Sequence, residues 1–196
     1  ISVAAIFKHN TIEKLVRSLE NNNEDKVAIN KKTVSRAEEQ LLSFAQERLW
    51  FIEKYEEGSC AYNIPYIFKI SNQVNIDNLI LAIKSVVDRH EILRTVIREE
   101  GKYQFVLGEE LSISIVDADE EHLKEHFLRD VENVFDLVNK LPIRVNIYKT
   151  NSGNFISIVI HDIAFGGWSG EIFFRELETY YNYYMGHTQS LDLPEL

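Results

Sequence analysis

One short run late in the chain constrains the fold more than any other. Residues 154–160, Asn-Phe-Ile-Ser-Ile-Val-Ile, are apolar at positions that point to both faces of a strand. Such a strand lies inside a sheet that is covered on both sides. Residues 141–150 alternate between apolar and polar side chains, which predicts a neighbouring strand with one buried face. The chain should therefore be built in layers around a sheet.

Amphipathic segments predict the helices that cover this sheet. Apolar side chains recur at helical spacing after Asn75, and Ser43 is a favourable residue for capping a helix. The predicted helices span four ranges: 43–55, 75–95, 119–138 and 169–184. Within the third helix the residues expected to face inward are Leu123, Phe127, Val131, Val134, Phe135 and Val138.

The remaining β-prone segments complete the prediction. They span three ranges: 62–71, 95–110 (two short strands around Glu100-Gly101) and 112–118. Helices and strands thus alternate along the chain. The fold class is α/β or α+β, a mixed sheet with helices packed on it.

The composition excludes several classes of function. The 196 residues carry a net charge of −10 and no cluster of Lys and Arg, which argues against nucleic acid as a partner. The single cysteine, Cys60, excludes an internal disulfide, and no thiolate metal pattern is present. No apolar run approaches the ~20 residues that cross a bilayer. The sequence predicts a cytoplasmic protein that binds no metal, membrane or nucleic acid.

The first forty residues differ from the rest. Asn10-Thr11 can begin a helix whose apolar residues continue to Leu19, so residues 1–20 are expected to be the end of one unit. Residues 21–41 are polar and charged, which is typical of a linker. The main domain is predicted to span residues 42–196.

The segment that carries the candidate chemistry is His-Asp-Ile-Ala-Phe-Gly-Gly-Trp-Ser at 161–169. An apolar strand delivers His161 and Asp162 to a glycine turn, and a helix follows. A histidine beside an acid at a strand end is a common site of acid–base chemistry. A lone histidine on a buried strand is more often a hydrogen-bonded core residue, so the local pattern leaves both roles open.

Three segments together resemble one family. Residues 42–55, Leu-Ser-Phe-Ala-Gln-Glu-Arg-Leu-Trp-Phe-Ile-Glu-Lys-Tyr, are similar to the first motif of condensation domains of non-ribosomal peptide synthetases. Residues 89–95, Arg-His-Glu-Ile-Leu-Arg-Thr, match the second motif without a substitution. Residues 161–169 align with the third motif, His-His-x-x-x-Asp-Gly, often followed by Trp-Ser. The resemblance implies a chloramphenicol-acetyltransferase-like lobe.

The N-terminal segment adds to this resemblance. Residues 6–19 are similar to the last helix of a peptidyl carrier domain, in which a Phe followed closely by Thr-Ile is usual. A carrier helix, a tether and a condensation domain follow one another in the order of an assembly line. The resemblance therefore disfavours a free-standing acyltransferase that acts on CoA esters.

The third motif departs from the family at two positions. Alignment on Gly167, Trp168 and Ser169 places His161 at the first His and Asp162 at the second, catalytic His. Gly166 then stands where the family has a structural Asp. The family's Asp-x-x-x-x-Asp cyclisation variant does not fit, since its two positions hold histidine and glycine here.

The loss of that Asp predicts an unpaired arginine. In the family the structural Asp pairs with an arginine, and Arg48 and Arg94 are the candidates for that role here. Asp162 is hypothesised to supply the missing carboxylate from the other side of the loop.

The resemblance implies a function for the intact protein. Amide formation would join a carrier-bound acyl thioester to a carrier-bound amine, with Asp162 and His161 as the catalytic residues. The substrate tunnel would be lined by four residues: Gly166, Gly167, Trp168 and Ser169. Gly167 would let the backbone approach substrate, and Trp168 would pack at the helix entry. The alternative is an inactive, non-elongating scaffold that docks carriers and passes the acyl chain on.

The resemblance also implies partners. Phosphopantetheine would be carried by upstream and downstream carrier domains, so no cofactor is expected on this chain. The sequence is expected to hold only the N-terminal lobe of the domain, and the C-terminal lobe would pack against it. The fragment alone is therefore expected to be inactive, with an exposed apolar face.

Overall fold

The computed structural model describes Thr11 and residues 40–56, 58–98 and 101–196. The predicted carrier-like helix and nearly all of the predicted linker lie outside the described residues. Gln40 and Leu41, which the sequence assigns to the end of the linker, instead form a short strand. The described residues from Gln40 onward belong to one compact unit.

Helices and strands alternate as the sequence predicts. In chain order the elements are β1 (Gln40–Leu41), α1 (Phe44–Tyr55), β2 (Asn63–Ile70), α2 (Ile76–Arg89), β3 (Thr95–Arg98), β4 (Tyr103–Val106), β5 (Ile113–Asp117), α3 (Leu123–Glu132), β6 (Ile143–Thr150), β7 (Gly153–His161) and α4 (Ser169–Tyr184). The cap at Ser43 is confirmed, because its hydroxyl accepts from the Gln46 N–H while the Gln46 side chain accepts from the Ser43 N–H.

The large sheet is mixed and has the strand order β2-β7-β6-β5. Strand β7 pairs antiparallel with both β2 and β6, and β6 pairs parallel with β5. The interior position of β7 confirms the prediction made from its two apolar faces. A second, antiparallel sheet has the order β1-β4-β3.

The two faces of the large sheet are covered by different helices. On one face, the ring of Phe174 in α4 lies 4.9 Å from Tyr66 and 5.6 Å from Phe68, both in β2. On the other face, Phe127 of α3 lies 6.2 Å from Phe155 of β7. Because side chains alternate along a strand, the side chain of His161 lies on the same face as Phe155.

Helix α2 contributes several fully buried side chains to the core. Its apolar stripe at Ile83, Val86 and Val87 is fully buried, as the helical spacing predicts. The alternating residues of β6 are buried as predicted as well, with Ile143, Val145 and Ile147 between 0% and 3% exposed. Burial at about 25 cal/mol per Å² makes these side chains the main source of stability.

The third predicted helix was wrong at its C-terminal end. Helix α3 stops at Glu132 and does not continue to Val138. Asn63 and Arg144 donate to the carbonyl of Asn133 at 3.0 and 2.5 Å, and Asn133 is extended, with φ −66° and ψ 124°. In a longer helix the Asn133 carbonyl would accept from a backbone N–H one turn later. Here it accepts from two side chains on β2 and β6 instead.

The residues beyond Glu132 pack as a loop. Phe135 is 6% exposed, as the inward prediction requires, but Val134 is 43% exposed. Asp136 holds the turn, since its carboxylate accepts from the N–H groups of Val138 and Asn139. Hydrogen bonds from Asn139 and Val138 hold the pKa of Asp136 below its usual range.

No helix in the described part of the chain is both long and apolar enough to cross a membrane.

Candidate functional site

Strand β7 delivers the candidate site to the end of the large sheet. His161 is its last residue and lies opposite Asn63 of β2. The His161 N–H donates to the Pro142 carbonyl at 2.9 Å, and the Asp162 N–H donates to the Tyr62 carbonyl at 2.9 Å. The chain then turns through one 3₁₀ turn, Asp162–Ala164. The backbone at the start of the motif is therefore fixed by two neighbouring chain segments.

The side chain of His161 points into the protein. It is 0% exposed, and its Nδ1 accepts from the Ile163 N–H at 3.2 Å. A nitrogen that accepts a hydrogen bond carries no proton, so the ring proton of the neutral form lies on Nε2. Nε2 faces Oε2 of Glu53 in α1 at 3.6 Å, which is longer than a normal hydrogen bond.

Aromatic and cationic groups surround this ring. The edge of Phe135 meets His161 with 5.8 Å between ring centroids. Arg144 lies over Phe135, 3.8 Å from its centroid. Burial, and then the charge of Arg144, lower the pKa of His161 to about 4. The imidazole is therefore neutral at physiological pH.

Glu53 is the second buried group of this cluster. It is 7% exposed, and its Oε1 accepts from the Ser59 N–H at 3.3 Å. Burial raises the pKa of Glu53 above its ordinary value. Its Oε2 and the His161 Nε2 have no hydrogen-bond partner among the described residues. The pair supports the loop from inside, and neither Oε2 of Glu53 nor Nε2 of His161 is exposed to a substrate.

Asp162 has a different placement. It is half-buried, at the point where β7 ends and the loop begins. Among the described residues, its carboxylate forms no hydrogen bond and no ion pair, whereas its backbone N–H and carbonyl are both hydrogen-bonded. Asp162 is thus the acidic side chain of the motif that remains available at the surface of the loop.

The hypothesised pair between Asp162 and an arginine is not formed. Arg94 donates instead to the carbonyls of Val87, Asp88 and Leu107, at 3.2, 2.9 and 2.9 Å. These bonds hold it between the end of α2 and the residue after β4. Arg48 is exposed on α1. Within the described part of the chain, neither arginine pairs with a carboxylate of the loop.

The predicted tunnel residues lie at or near the surface. Gly166, Gly167 and Trp168 are exposed, and Ser169 is half-buried. Trp168 does not pack at the helix entry: it is 84% exposed. A Cβ on either glycine would meet no atom within 4 Å, so this part of the loop borders open space.

Ser169 closes the loop and begins α4. Its N–H donates to the Gly166 carbonyl at 2.9 Å. It also borders a mostly apolar cleft of about 80 Å³ between the loop and the start of α4. The cleft is lined by His90, Ile92, Leu93, Ala164, Phe165, Ser169, Ile172 and Phe173. Residues of the segments 89–95 and 161–169, which are far apart in sequence, thus line the same cleft.

Among the described residues, no group of three or more His, Cys, Asp or Glu side chains could hold a metal ion. The candidate site consists of the buried contact between His161 and Glu53, the half-buried carboxylate of Asp162 and the exposed turn at Gly166 and Gly167.

Sequence reasoning missed three buried carboxylates, Glu53, Asp130 and Glu176, of which the first and last contact residues of the motifs. Glu53 and Glu176 are 7% and 1% exposed, although each lies in a helix that also carries many exposed polar residues. A signal existed for Glu176, since it lies one turn after Phe173 on the apolar face of α4. Glu53 has a comparable signal, since it lies one turn after the buried Trp50.

Comparison with known proteins identifies the family and the fold of the chain. A family profile described as Condensation domain matches residues 36–195. Relatives that are at least 30% identical and cover most of the chain include two synthetases. Nonribosomal peptide synthetase TES of Alternaria alternata is 31% identical over 189 residues, which is 93% of this chain. A linear gramicidin synthase of Brevibacillus parabrevis is 31% identical over 191 residues, or 90%.

Solved structures of the family share this fold. The X-domain from teicoplanin biosynthesis superposes with a TM-score of 0.73 at 25% identity and covers 83% of this chain. The starter condensation domain of the rhizomide synthetase RzmA has a TM-score of 0.69 at 18% identity and covers 80%. The chain spans 36% and 40% of those two solved chains, and 4% of each of the two synthetases.

Proposed function

Because the chain belongs to the condensation-domain family of non-ribosomal peptide synthetases, we propose that it is the N-terminal lobe of such a domain. Together with a C-terminal lobe it joins a carrier-bound acyl thioester to a carrier-bound amine. The amine nitrogen attacks the thioester carbonyl, a C–N bond forms and the C–S bond breaks. The proton of the amine passes to the leaving thiolate, so the products are an amide and a free phosphopantetheine thiol.

The placement of Asp162 is the observation that carries the proposal. Its side chain is half-buried at the strand end, in the same loop as a glycine turn that borders open space. His161 is turned inward and reaches no substrate. We therefore assign the position beside the reacting amine to Asp162 alone, and His161 becomes a positioning residue that shapes the turn through Ile163.

The chemistry of Asp162 differs from that of a histidine. An aspartate titrates near ~3.9 and a histidine near ~6.5 in peptides, so an aspartate is the weaker base. It can still accept a hydrogen bond from the attacking amine and orient it, and orientation supplies a large part of the rate in tethered reactions. The proposed reaction is thus slower than one with histidine at this position.

The proposal assigns the cofactor and partners to other domains. Phosphopantetheine belongs to the upstream and downstream carriers, and this chain contributes the loop against which the two arms meet. The exposed, unpaired Cys60 is consistent with a reducing compartment, and the proposal places the protein in the cytoplasm.

A second candidate is a non-elongating scaffold that docks carriers without forming a bond. It is favoured by the exchange of the structural Asp for Gly166 and by the free carboxylate of Asp162. The solved X-domain, which has been crystallised in complex with OxyB, is a structural relative of similar fold.

The test uses the two-lobe domain with a donor-loaded and an acceptor-loaded carrier, followed by the intact mass of the acceptor carrier. Amide formation adds the mass of the donor acyl group to the acceptor, and omission of the donor abolishes the change. If the acceptor mass never changes while both carriers still bind the domain, the scaffold function is correct instead.

A further inference from the structure

A buried carboxylate on α4 contacts the side chains of the first two residues of the segment 89–95. Glu176 is 1% exposed. Its Oε2 lies 2.6 Å from Nε2 of His90, whose ring N–H donates to it, and 3.2 Å from Nε of Arg89. A carboxylate with so little access to water needs such partners, because an unpaired buried charge is strongly unfavourable.

Both partners belong to the end of α2. Arg89 is the last residue of that helix, and His90 follows it, with a backbone N–H that donates to the Val86 carbonyl. Arg89 also donates through Nη2 to the carbonyl of Pro194. The guanidinium therefore joins three parts of the chain: the end of α2, the middle of α4 and the C-terminal segment.

The contact lies two turns from the start of α4, where the motif loop ends. Phe173, one turn before Glu176, is 2% exposed and meets the loop residue Phe165 with 6.0 Å between ring centroids. His90 borders the same cleft as Phe165 and Ser169. The position of α4 against α2 thus determines where the end of the loop lies.

Beyond the two backbone hydrogen bonds donated at its start by His161 and Asp162, the loop has few other anchors among the described residues. Gly166 has no side chain, and the carboxylate of Asp162 bonds to none of them. Arg94 is held by backbone carbonyls of α2 and of the residue after β4. Apolar contacts through the buried segment 163–165 remain, together with the attachment of the loop to α4.

We propose that Glu176 is a positioning residue: by binding Arg89 and His90 it fixes the start of α4, and through it the loop that carries Asp162. The anchoring carboxylate of the motif is then on the helix after the loop, and it holds the first two residues of the segment 89–95. This inference deepens the proposed function, because the position it sets matters for catalysis through Asp162.

The experiment measures amide hydrogen exchange in the two-lobe domain with Glu176→Gln. The substitution keeps the shape and removes the charge that binds Arg89. We expect the loop amides of Ile163, Phe165 and Ser169 to exchange about tenfold faster or more. The charged contacts of Glu176 with α2 oppose local opening of the loop, and the substitution weakens them. Exchange of the β6 amides should stay within about twofold, because β6 is paired on both sides within the large sheet, by β5 and β7.

Glu178→Gln is the matched control, since Glu178 is exposed on the same helix. It should leave the loop amides unchanged. Glu176→Asp retains the charge and should give an intermediate increase. The proposal is overturned if the loop amides in Glu176→Gln exchange as in the control, or if β6 and the loop accelerate by the same factor. The latter result would mean a general loss of stability.

Should Glu176→Gln fail to fold, His90→Gln gives the same readout from the other side of the contact, with the Arg89–Glu176 pair intact. Faster loop exchange in that variant supports the proposal, and unchanged exchange overturns it. The two hypotheses also separate. If native protein forms no amide but the loop responds to Glu176, the proposed function fails and the positioning role stands. If amide forms while the loop does not respond, the proposed function stands and the positioning role fails.

Discussion

A variant that restores histidine and aspartate to the motif, Asp162→His with Gly166→Asp, is expected to form amide about 10²-fold faster than the native two-lobe domain. A positioned general base is typically worth about 10²–10⁴ in rate, and histidine titrates close to the working pH. The loop accommodates the change at residue 166, because Gly166 has no atom within 4 Å of a new Cβ and its φ is not positive.

The single variants define the roles within this pair. Asp162→His alone should recover part of the gain, and Gly166→Asp alone should recover none, since it leaves the side chain at residue 162 unchanged. Single-turnover rates with preloaded carriers measure the chemical step directly. A double variant that is no faster than native protein would mean that the rate does not depend on the side chain at residue 162.

The second large effect concerns stability and pH. Between pH 6.5 and pH 4 the free energy of unfolding of native protein should fall by about 3 kcal/mol more than that of His161→Asn, from the difference between pKa values near 6.5 and about 4. The unfolded chain binds a proton on this ring near ~6.5, and the folded chain only near 4. Between pH 6.5 and pH 4 the unfolded state binds more protons than the folded state, so a fall in pH favours unfolding. Well below pH 4 the ring is protonated in both states, and its contribution to the free energy of unfolding no longer changes.

The groups that face His161 affect both proteins. Burial raises the pKa of Glu53, so this carboxyl binds a proton more readily in the folded state and acid stabilises the fold through it. Arg144 stays charged throughout. Comparison with His161→Asn isolates the imidazole, because the amide oxygen can accept from the Ile163 N–H without ionising.

Urea unfolding at each pH measures this effect. Should the variant not fold, an NMR titration of the His161 ring in native protein gives the same information, with an expected midpoint near 4. Parallel pH dependence in the two proteins, or a midpoint near ~6.5 as in peptides, would contradict the buried neutral histidine.

The central sheet was predictable because its strands carry local patterns. Two apolar faces placed β7 inside the sheet, and strict alternation identified the buried face of β6. Helix α2 followed from one continuous apolar stripe. In each case a periodic pattern of buried side chains is sufficient, since burial itself is what the pattern records.

The end of α3 was not predictable in the same way. Apolar spacing continues to Val138, and only tertiary contacts end the helix at Glu132. The side chains of Asn63 and Arg144, 70 and 11 residues away in sequence, donate to the carbonyl of Asn133. Nothing within residues 119–138 reports those bonds, so the local pattern alone gives a helix that is too long.

In the candidate site, the positions of the residues along the chain were predictable, but the contacts of their side chains were not. The sequence predicted His161 and Asp162 at the end of a strand, and the structure confirms that position. The direction of each side chain and its partners depend on contacts from α1, α2 and α4. Glu53 and Glu176 each lie one turn after a buried aromatic residue, which is a local signal, but their contacts with His161 and with Arg89 come from other elements.

The most direct test of the account compares Asp162→Ala with Asp192→Ala in the two-lobe domain, measuring single-turnover amide formation between loaded carriers. Asp192 is exposed in the C-terminal segment and serves as the matched carboxylate control. Asp162→Ala should slow the reaction by at least about tenfold while Asp192→Ala leaves it unchanged, since in the proposed reaction only Asp162 contacts the attacking amine. Equal rates in the two variants would contradict the assignment of Asp162 to the reacting position.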